Sequence, residues 1–295
     1  MMIGIDWGTT SFRAFRLRPD GSIAARRAAP RGILAVETGR FEEELLRQVG
    51  DWIADGEGHV LMSGMIGSRQ GWVEAPYVEC PAGVGEIAAR LARIGCDGAD
   101  LRIVPGLTCI DAGGTPEVMR GEETQIIGAL SDAGGGPALA CLPGSHSKWA
   151  EVTGGRIIRF ATYLSGEAFA ALRGHTILGK LMREAPTDLA AFDRGVARAG
   201  EAGHLLHHLF GVRTLGLFGE LAEGASSSYL SGLLIGHEVR AALPAAGAAV
   251  HLIGATALCE LYARALAACG ARAIQYGEDA AAAGLARLGR DVAWH

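Results

Sequence analysis

An α/β protein made of two related halves is the fold class this chain predicts, and three observations predict it. A strand runs into a small-residue hairpin at Ile3-Gly4-Ile5-Asp6-Trp7-Gly8-Thr9-Thr10-Ser11. A degenerate copy follows near the middle, Ala140-Cys141-Leu142-Pro143-Gly144-Ser145-His146-Ser147-Lys148-Trp149-Ala150, in which Gly144 stands for Gly8, Ser145 for Thr9, Ser147 for Ser11 and Leu142 for Asp6. Each copy leads into two more strand-like runs and then into alternating helical and strand patterns, and 295 residues suffice for two cores.

In the first half, strands are expected at Met2 to Trp7, Ser11 to Arg18 and Ser22 to Ala28, the last two joined by an Asp20-Gly21 turn. Phe41, Leu45, Leu46, Val49, Trp52 and Ile53 recur at helical spacing. His59 to Met62 reads as a strand, Glu86 to Ile94 as a helix and Leu101 to Val104 as a strand; a helix from Gly121 to Leu130 ends in the Gly134-Gly135-Gly136 run. The second half repeats the order with strands at Ala138 to Leu142, Ser147 to Val152 and Arg156 to Tyr163, turning at Gly154-Gly155. Later elements are a helix Tyr229 to Leu243, a strand Ala249 to Ile253, a helix Thr256 to Ala268, a strand Ala271 to Gln275 and a helix Glu278 to Leu288. The domain boundary is placed between 133 and 134, giving domains 1–133 and 134–295, with the last helix free to pack back toward the ligand crevice.

Composition narrows the function classes. A net charge of -5 with no basic cluster offers no electrostatic footprint for nucleic acid, so none is expected as a partner. The six cysteines lack Cys-x-x-Cys spacing and read as reduced core thiols. Met1 and Met2 lead straight into a strand, and no uncharged apolar run reaches spanning length, so a cytoplasmic chain without a membrane partner is expected.

A glycine followed by Ser or Thr lets backbone amides approach phosphate oxygens, which makes Gly8, Thr9, Thr10, Gly144, Ser145, Ser147 and Lys148 candidate nucleotide-phosphate contacts. Asp6, at the end of an Ile/Gly strand, is costly to bury unpaired and is the candidate holder of hydrated Mg2+. Two such hairpins suggest a nucleoside triphosphate, ATP, held by two halves. The aperiodic stretch from Ser63 to Pro81 gathers Ser68, Arg69, Gln70, Trp72, Glu74 and Tyr77, groups suited to a polar ligand. Arg69 is its best carboxylate fork, and Arg120 is the competitor. Ser165, in Thr162-Tyr163-Leu164-Ser165-Gly166-Glu167, is expected to close the ligand site or to start a helix. Gly174-His175-Thr176-Ile177-Leu178-Gly179-Lys180 copies part of a P-loop but lacks the Ser/Thr that touches magnesium, and His204, His207 and His208 have no nearby carboxylate pair to make a metal site.

The two hairpins and the Ile253-Gly254-Ala255-Thr256 turn resemble the phosphate-1, phosphate-2 and adenosine motifs of the actin, sugar-kinase and Hsp70 superfamily. Within it, Gly64-Met65-Ile66-Gly67-Ser68-Arg69-Gln70-Gly71-Trp72-Val73-Glu74-Ala75-Pro76-Tyr77, Met119-Arg120-Gly121-Glu122-Glu123-Thr124-Gln125 and Leu142-Pro143-Gly144-Ser145-His146-Ser147-Lys148-Trp149 resemble the 2-dehydro-3-deoxygalactonokinase family over essentially the whole chain. The resemblance implies two ribonuclease H-like domains, an actin-like ATPase fold, with the active site in the cleft. It implies ATP-dependent phosphorylation of the terminal 6-hydroxyl of the sugar acid 2-dehydro-3-deoxy-D-galactonate, with Gly254 and Ala255 beside the adenosine. Related sugar kinases place an Asp after the glycine that opens the linking helix, where it takes the hydroxyl proton. Here Glu122 and Glu123 follow Gly121; Glu122 is the favoured base. A kinase for another sugar or sugar acid on the same fold and a nucleotide-dependent, actin-like or Hsp70-like switch ATPase are the competing readings, and the sequence leaves a homodimer open.

Overall fold

A computed structural model describes residues 1–96, 98–130 and 135–294. In chain order the first elements are β1 (Met2–Trp7), β2 (Phe12–Leu17), β3 (Ile23–Ala29), α1 (Phe41–Ala54), β4 (His59–Ser63), β5 (Tyr77–Glu79), α2 (Val84–Ala88), β6 (Ala92–Cys96), β7 (Ala99–Ile103), β8 (Gly106–Ile110), β9 (Pro116–Met119) and α3 (Glu122–Leu130). There follow β10 (Ala138–Leu142), β11 (Ser147–Thr153), β12 (Arg156–Tyr163), α4 (Ser165–His175), α5 (Leu189–Arg198), α6 (Leu205–Leu217), α7 (Ser226–Ala242), β13 (Ala249–Ile253), α8 (Thr256–Ala268), β14 (Arg272–Tyr276) and α9 (Ala280–Arg290). No helix among the described residues is long and apolar enough to cross a membrane.

Two compact units result: Met1–Ala138 with Ala150–Ala161 and Glu278–His295, and Leu139–Trp149 with Thr162–Gly277. The boundary read from the sequence, 133/134, lies outside the described residues, as does Gly134 of the glycine run. The partition differs from that reading in giving the 150–161 hairpin and α9 to the first unit.

The first unit is built on a six-stranded sheet of order β3-β2-β1-β4-β7-β6. β1 pairs antiparallel with β2 and parallel with β4, which pairs parallel with β7. A strand flanked on both faces should be apolar throughout, and Ile3, Ile5 and Trp7 are fully buried on β1. The apolar stripe of α1 (Phe41, Leu45, Val49, Trp52) joins Ile3, Ile5, Trp7, Phe12, Val60 and Met62 in one core. α9 packs against β1 and α3 through missing side chains: a Cβ on Gly128 would lie 1.9 Å from the Ala280 carbonyl oxygen, and one on Gly284 1.9 Å from that of Thr124. Contact this close needs glycine.

The other large sheet runs β12-β11-β10-β13-β14, with β10, β13 and β14 parallel. Counted from the first strand of each half, both sheets begin in the order third, second, first, fourth, and in each the next strand, β7 or β14, lies parallel to the fourth, which is the duplication the hairpins announced. Cys141, Trp149, Phe192, Val239, Val250, Leu252 and Tyr262 share the second unit's core.

Two local expectations are corrected. Glu86 to Ile94 is not one helix: α2 ends at Ala88, and residues 92–96 form β6. Ala92, Ile94 and Cys96 alternate toward the core and pair with β7, so the period of two wins over the helical reading. The Ser63 to Pro81 stretch contributes β5 to a three-stranded sheet of order β5-β8-β9, whose other strands were not foreseen.

Candidate active site

The first hairpin closes through the Gly8 amide, which donates to the Ser11 carbonyl at 2.9 Å. Thr9 and Thr10 are exposed at its tip. The chain at 32–34 braces the tip from behind, because the Ile33 and Leu34 amides donate to the Gly8 and Thr9 carbonyls. Asp6 is buried, and Arg13, directly opposite on β2, donates through Nη2 to Asp6 Oδ2 at 2.5 Å. A second acid, Glu278, stands 3.6 Å from Arg13 Nη1. Asp6 Oδ1 lies toward Gly64, where a Cβ would come within 3.3 Å of it. Among the described residues no three His, Cys, Asp or Glu side chains gather as a metal cage. A single carboxylate with one oxygen already paired fits a cation held mainly by phosphate and water, as Mg2+ usually is.

The start of α3 converges on the ends of β1 and β4. Gly64 has φ +97° and Gly121 φ +110°, and a Cβ on Gly121 would meet the Gly64 Cα at 3.1 Å. Both conformations and the approach exclude a side chain. The two acids that follow differ sharply. Glu123 is fully buried, accepts the Gly121 N–H at 2.7 Å and the Thr124 hydroxyl at 3.0 Å, and Ser63 donates in turn to Thr124 at 2.8 Å. Burial, with the neighbouring Glu122 charge second, pushes its carboxyl from the ordinary 4.5 up to about 7. Glu122 is half-buried and accepts the Arg120 N–H at 2.9 Å. Only Glu122 keeps access to a ligand.

The substrate candidates separate in the same way. Arg69 is 87% exposed and pairs with Glu74 at 3.5 Å. Gln70 is also exposed. Trp72 is half-buried and stacks on Phe41 with ring centroids 6.5 Å apart, so its ring packs on the core. Arg120, by contrast, is only 9% exposed: Nη2 donates to the Ala75 carbonyl at 2.8 Å and the guanidinium lies 4.4 Å over the Tyr77 ring. Its Nε and Nη1, and the nearby loop's Ser68 Oγ, are buried without a hydrogen-bond partner among the described residues. Three unpaired donor groups in one region are expensive unless a ligand completes them.

In the second unit, Gly144 and Ser145 form the hairpin tip, whereas Ser147 and Lys148 are buried. The Ser147 hydroxyl meets the Tyr262 hydroxyl at 2.8 Å, and Lys148 Nζ donates to Thr162 Oγ1 at 2.8 Å. Both therefore turn into the fold from β11, against the expectation that they reach phosphate. The first turn of α4 sits on the tip: the Glu167 amide donates to the Ser145 carbonyl, and a Cβ on Gly166 would lie 2.4 Å from the Gly144 oxygen. Gly254 (φ +150°) and the exposed Ala255 lead into α8. Gly144, Ser145, Ser165, Ser231, Leu258 and Tyr262 help line a cavity of about 450 Å³, so Ser165, expected on the sugar-acid side, faces a cavity of the second unit. Glu238 and Tyr262 were missed; a lone acid in the apolar run Leu233–Val239 of a helix was the available signal.

A family model described as 2-keto-3-deoxy-galactonokinase matches residues 6–288. The chain is 38% identical over 296 residues to a Rhizobium meliloti (strain 1021) protein named as a probable 2-dehydro-3-deoxygalactonokinase, covering 98% of this chain and 96% of that one. It is 34% identical to the 2-dehydro-3-deoxygalactonokinase of Escherichia coli (strain K12), covering 99% and 98%. The crystal structure of a candidate 2-dehydro-3-deoxygalactonokinase protein from Sinorhizobium meliloti superposes with a TM-score of 0.89 at 36% identity over 98% of both chains. A Clostridium difficile activator of 2-hydroxyisocaproyl-CoA dehydratase, solved with bound ADPNP, shares the fold at a TM-score of 0.51 and 13% identity, covering 98% of this chain and 95% of that one.

Proposed function

The chain belongs to the 2-keto-3-deoxy-galactonokinase family, a sugar-acid kinase that phosphorylates 2-dehydro-3-deoxygalactonate with ATP, and on that premise we propose which residues do the work. Arg120, rather than Arg69, receives the substrate carboxylate. The observation that carries this is the buried guanidinium with Nε and Nη1 unpaired. Its unpaired Nε and Nη1 are the donors left for ligand oxygens, and stacking on Tyr77 with the Ala75 bond fixes the guanidinium plane. Ser68 Oγ supplies a further donor to the same acid.

The acceptor is the terminal 6-hydroxyl. Glu122 takes its proton as the oxygen bonds to the γ-phosphorus and the bond to the ADP oxygen breaks. Glu123, already committed to Gly121 and Thr124, holds the first turn of α3 in place. The backbone at Gly8, Thr9, Thr10, Gly144 and Ser145 cradles the phosphates, and Gly254 and Ala255 admit the adenosine. Asp6 would hold Mg2+ through water, which would supply charge neutralisation at the phosphates. Arg13 holds the Asp6 carboxylate in place.

ATP consumption measured across ketodeoxyaldonic, aldonic and neutral sugars tests this reading. Turnover should require a carboxylate on the acceptor. Equal turnover of a neutral sugar of the same length would refute the assignment of Arg120, and loss of preference for the ketodeoxy acid would favour a kinase for another sugar acid.

A further inference from the structure

The most enclosed acid of the second unit has no part in the roles above. Glu238 is 3% exposed on α7, among Leu234, Ile235 and Val239, and no cation pairs with it among the described residues. Its carboxylate instead collects donors from three elements that border the 450 Å³ cavity or its hairpin. Trp149 Nε1 on β11 donates to Oε1 at 2.8 Å, the Tyr262 hydroxyl on α8 donates to Oε2 at 2.7 Å, and Ser165 at the start of α4 also hydrogen-bonds to it. Burial, the largest cause, leaves the Glu238 carboxyl above its ordinary value, although hydrogen bonds from Ser165, Trp149 and Tyr262 oppose the rise. The Tyr262 hydroxyl spends its one proton on Glu238, so the Ser147–Tyr262 contact is made by the Ser147 proton pointing at Tyr262. That leaves the Ser147 lone pairs facing the Gly144 N–H, 3.5 Å away, at the hairpin tip.

We propose that Glu238 is a positioning residue of the nucleotide site, fixing the proton direction Ser147 to Tyr262 to Glu238 and thereby the orientation of the Gly144-Ser145 tip that receives phosphate. The proposal rests on the kinase reading of that hairpin. A side-chain amide at 238 keeps the volume but donates where the carboxylate accepted. Tyr262 must then accept from it and turn its own proton to Ser147, whose proton turns to the Gly144 carbonyl, also 3.5 Å away. The tip contact reverses from an N–H acceptor to a C=O donor.

The test is ATP binding by calorimetry with Mg2+ and no sugar acid, together with steady-state kinetics, on the full chain. Glu238→Gln should weaken ATP binding about tenfold and raise KM for ATP by a similar factor, leaving KM for the sugar acid within twofold. In a Ser147→Ala background the same substitution should no longer change ATP binding, because the group that transmits the reversal is gone. If Glu238→Gln does not fold, Tyr262→Phe interrupts the chain at its middle and carries the same expectation. Wild-type ATP affinity in a folded variant, an equal rise in both KM values, or an undiminished effect in the Ser147→Ala background overturns the proposal while the kinase reading stands. No ATP binding by the wild-type chain overturns both.

Discussion

Glu123→Gln separates the structural acid from the chemical one. Folded, the Glu123 carboxyl is pushed from 4.5 to about 7 by burial first and the Glu122 charge second. Between those values the native state binds more protons than the unfolded chain, so this group's contribution is fully present below about 4.5 and is lost as pH rises through about 7. At about 1.4 kcal/mol per pH unit of difference, the loss is about 3 kcal/mol. A glutamine at 123 titrates nowhere, accepts from the Gly121 N–H through its oxygen, and donates to Thr124 Oγ1 through its amide. The variant should therefore match the wild type near pH 4.5 and exceed it at pH 8, without the decline between. Melting temperature and urea midpoint at fixed pH steps from 4.5 to 8 read this directly. Kinetics on the same samples complete the test: Glu122→Gln should cost about 10²- to 10⁴-fold in kcat and Glu123→Gln only a few-fold. Parallel stability curves for wild type and Glu123→Gln would refute the burial argument, and the opposite order of kcat losses would move the base to Glu123.

Asp6→Asn should lose most Mg2+-supported turnover and shift the Mg2+ dependence to higher concentration; near-wild-type kcat at saturating Mg2+ would sink the assignment. Arg120→Lys should raise KM for the sugar acid by about tenfold or more with KM for ATP little changed, whereas Arg69→Lys should leave both within about twofold, because a point charge replaces a fork only where the fork is engaged. Gly284→Ala drives a methyl into the Thr124 carbonyl and should cost about 1–3 kcal/mol of stability, read as a lowered melting temperature. An unchanged melt would mean that α9 can leave α3 without penalty.

The hairpins were legible because their chemistry is local: a glycine, small hydroxyl residues and a strand-end acid specify a tip whatever surrounds it. What the tip's neighbours do was not, since that depends on partners far along the chain. Ser147 and Lys148 follow the second glycine at phosphate-binding spacing, yet Tyr262, Glu238 and Thr162 capture the region's side chains, and the strand that begins at Ser147 carries them into the core. Glu86 to Ile94 read as a helix because apolar residues at short spacing suit either period; only pairing with β7 selects the strand at 92–96. The two arginines show the same limit from the other side. Arg69 sits in a loop whose composition advertises ligand binding and is left in solvent, while Arg120 lies at the end of a strand-like run and is buried with two of its three nitrogens unspent. Residue type and spacing can nominate a fork, but engagement follows from which donors the fold leaves unpaired. The Arg120 and Arg69 substitutions therefore test that physical criterion as well as the assignment itself.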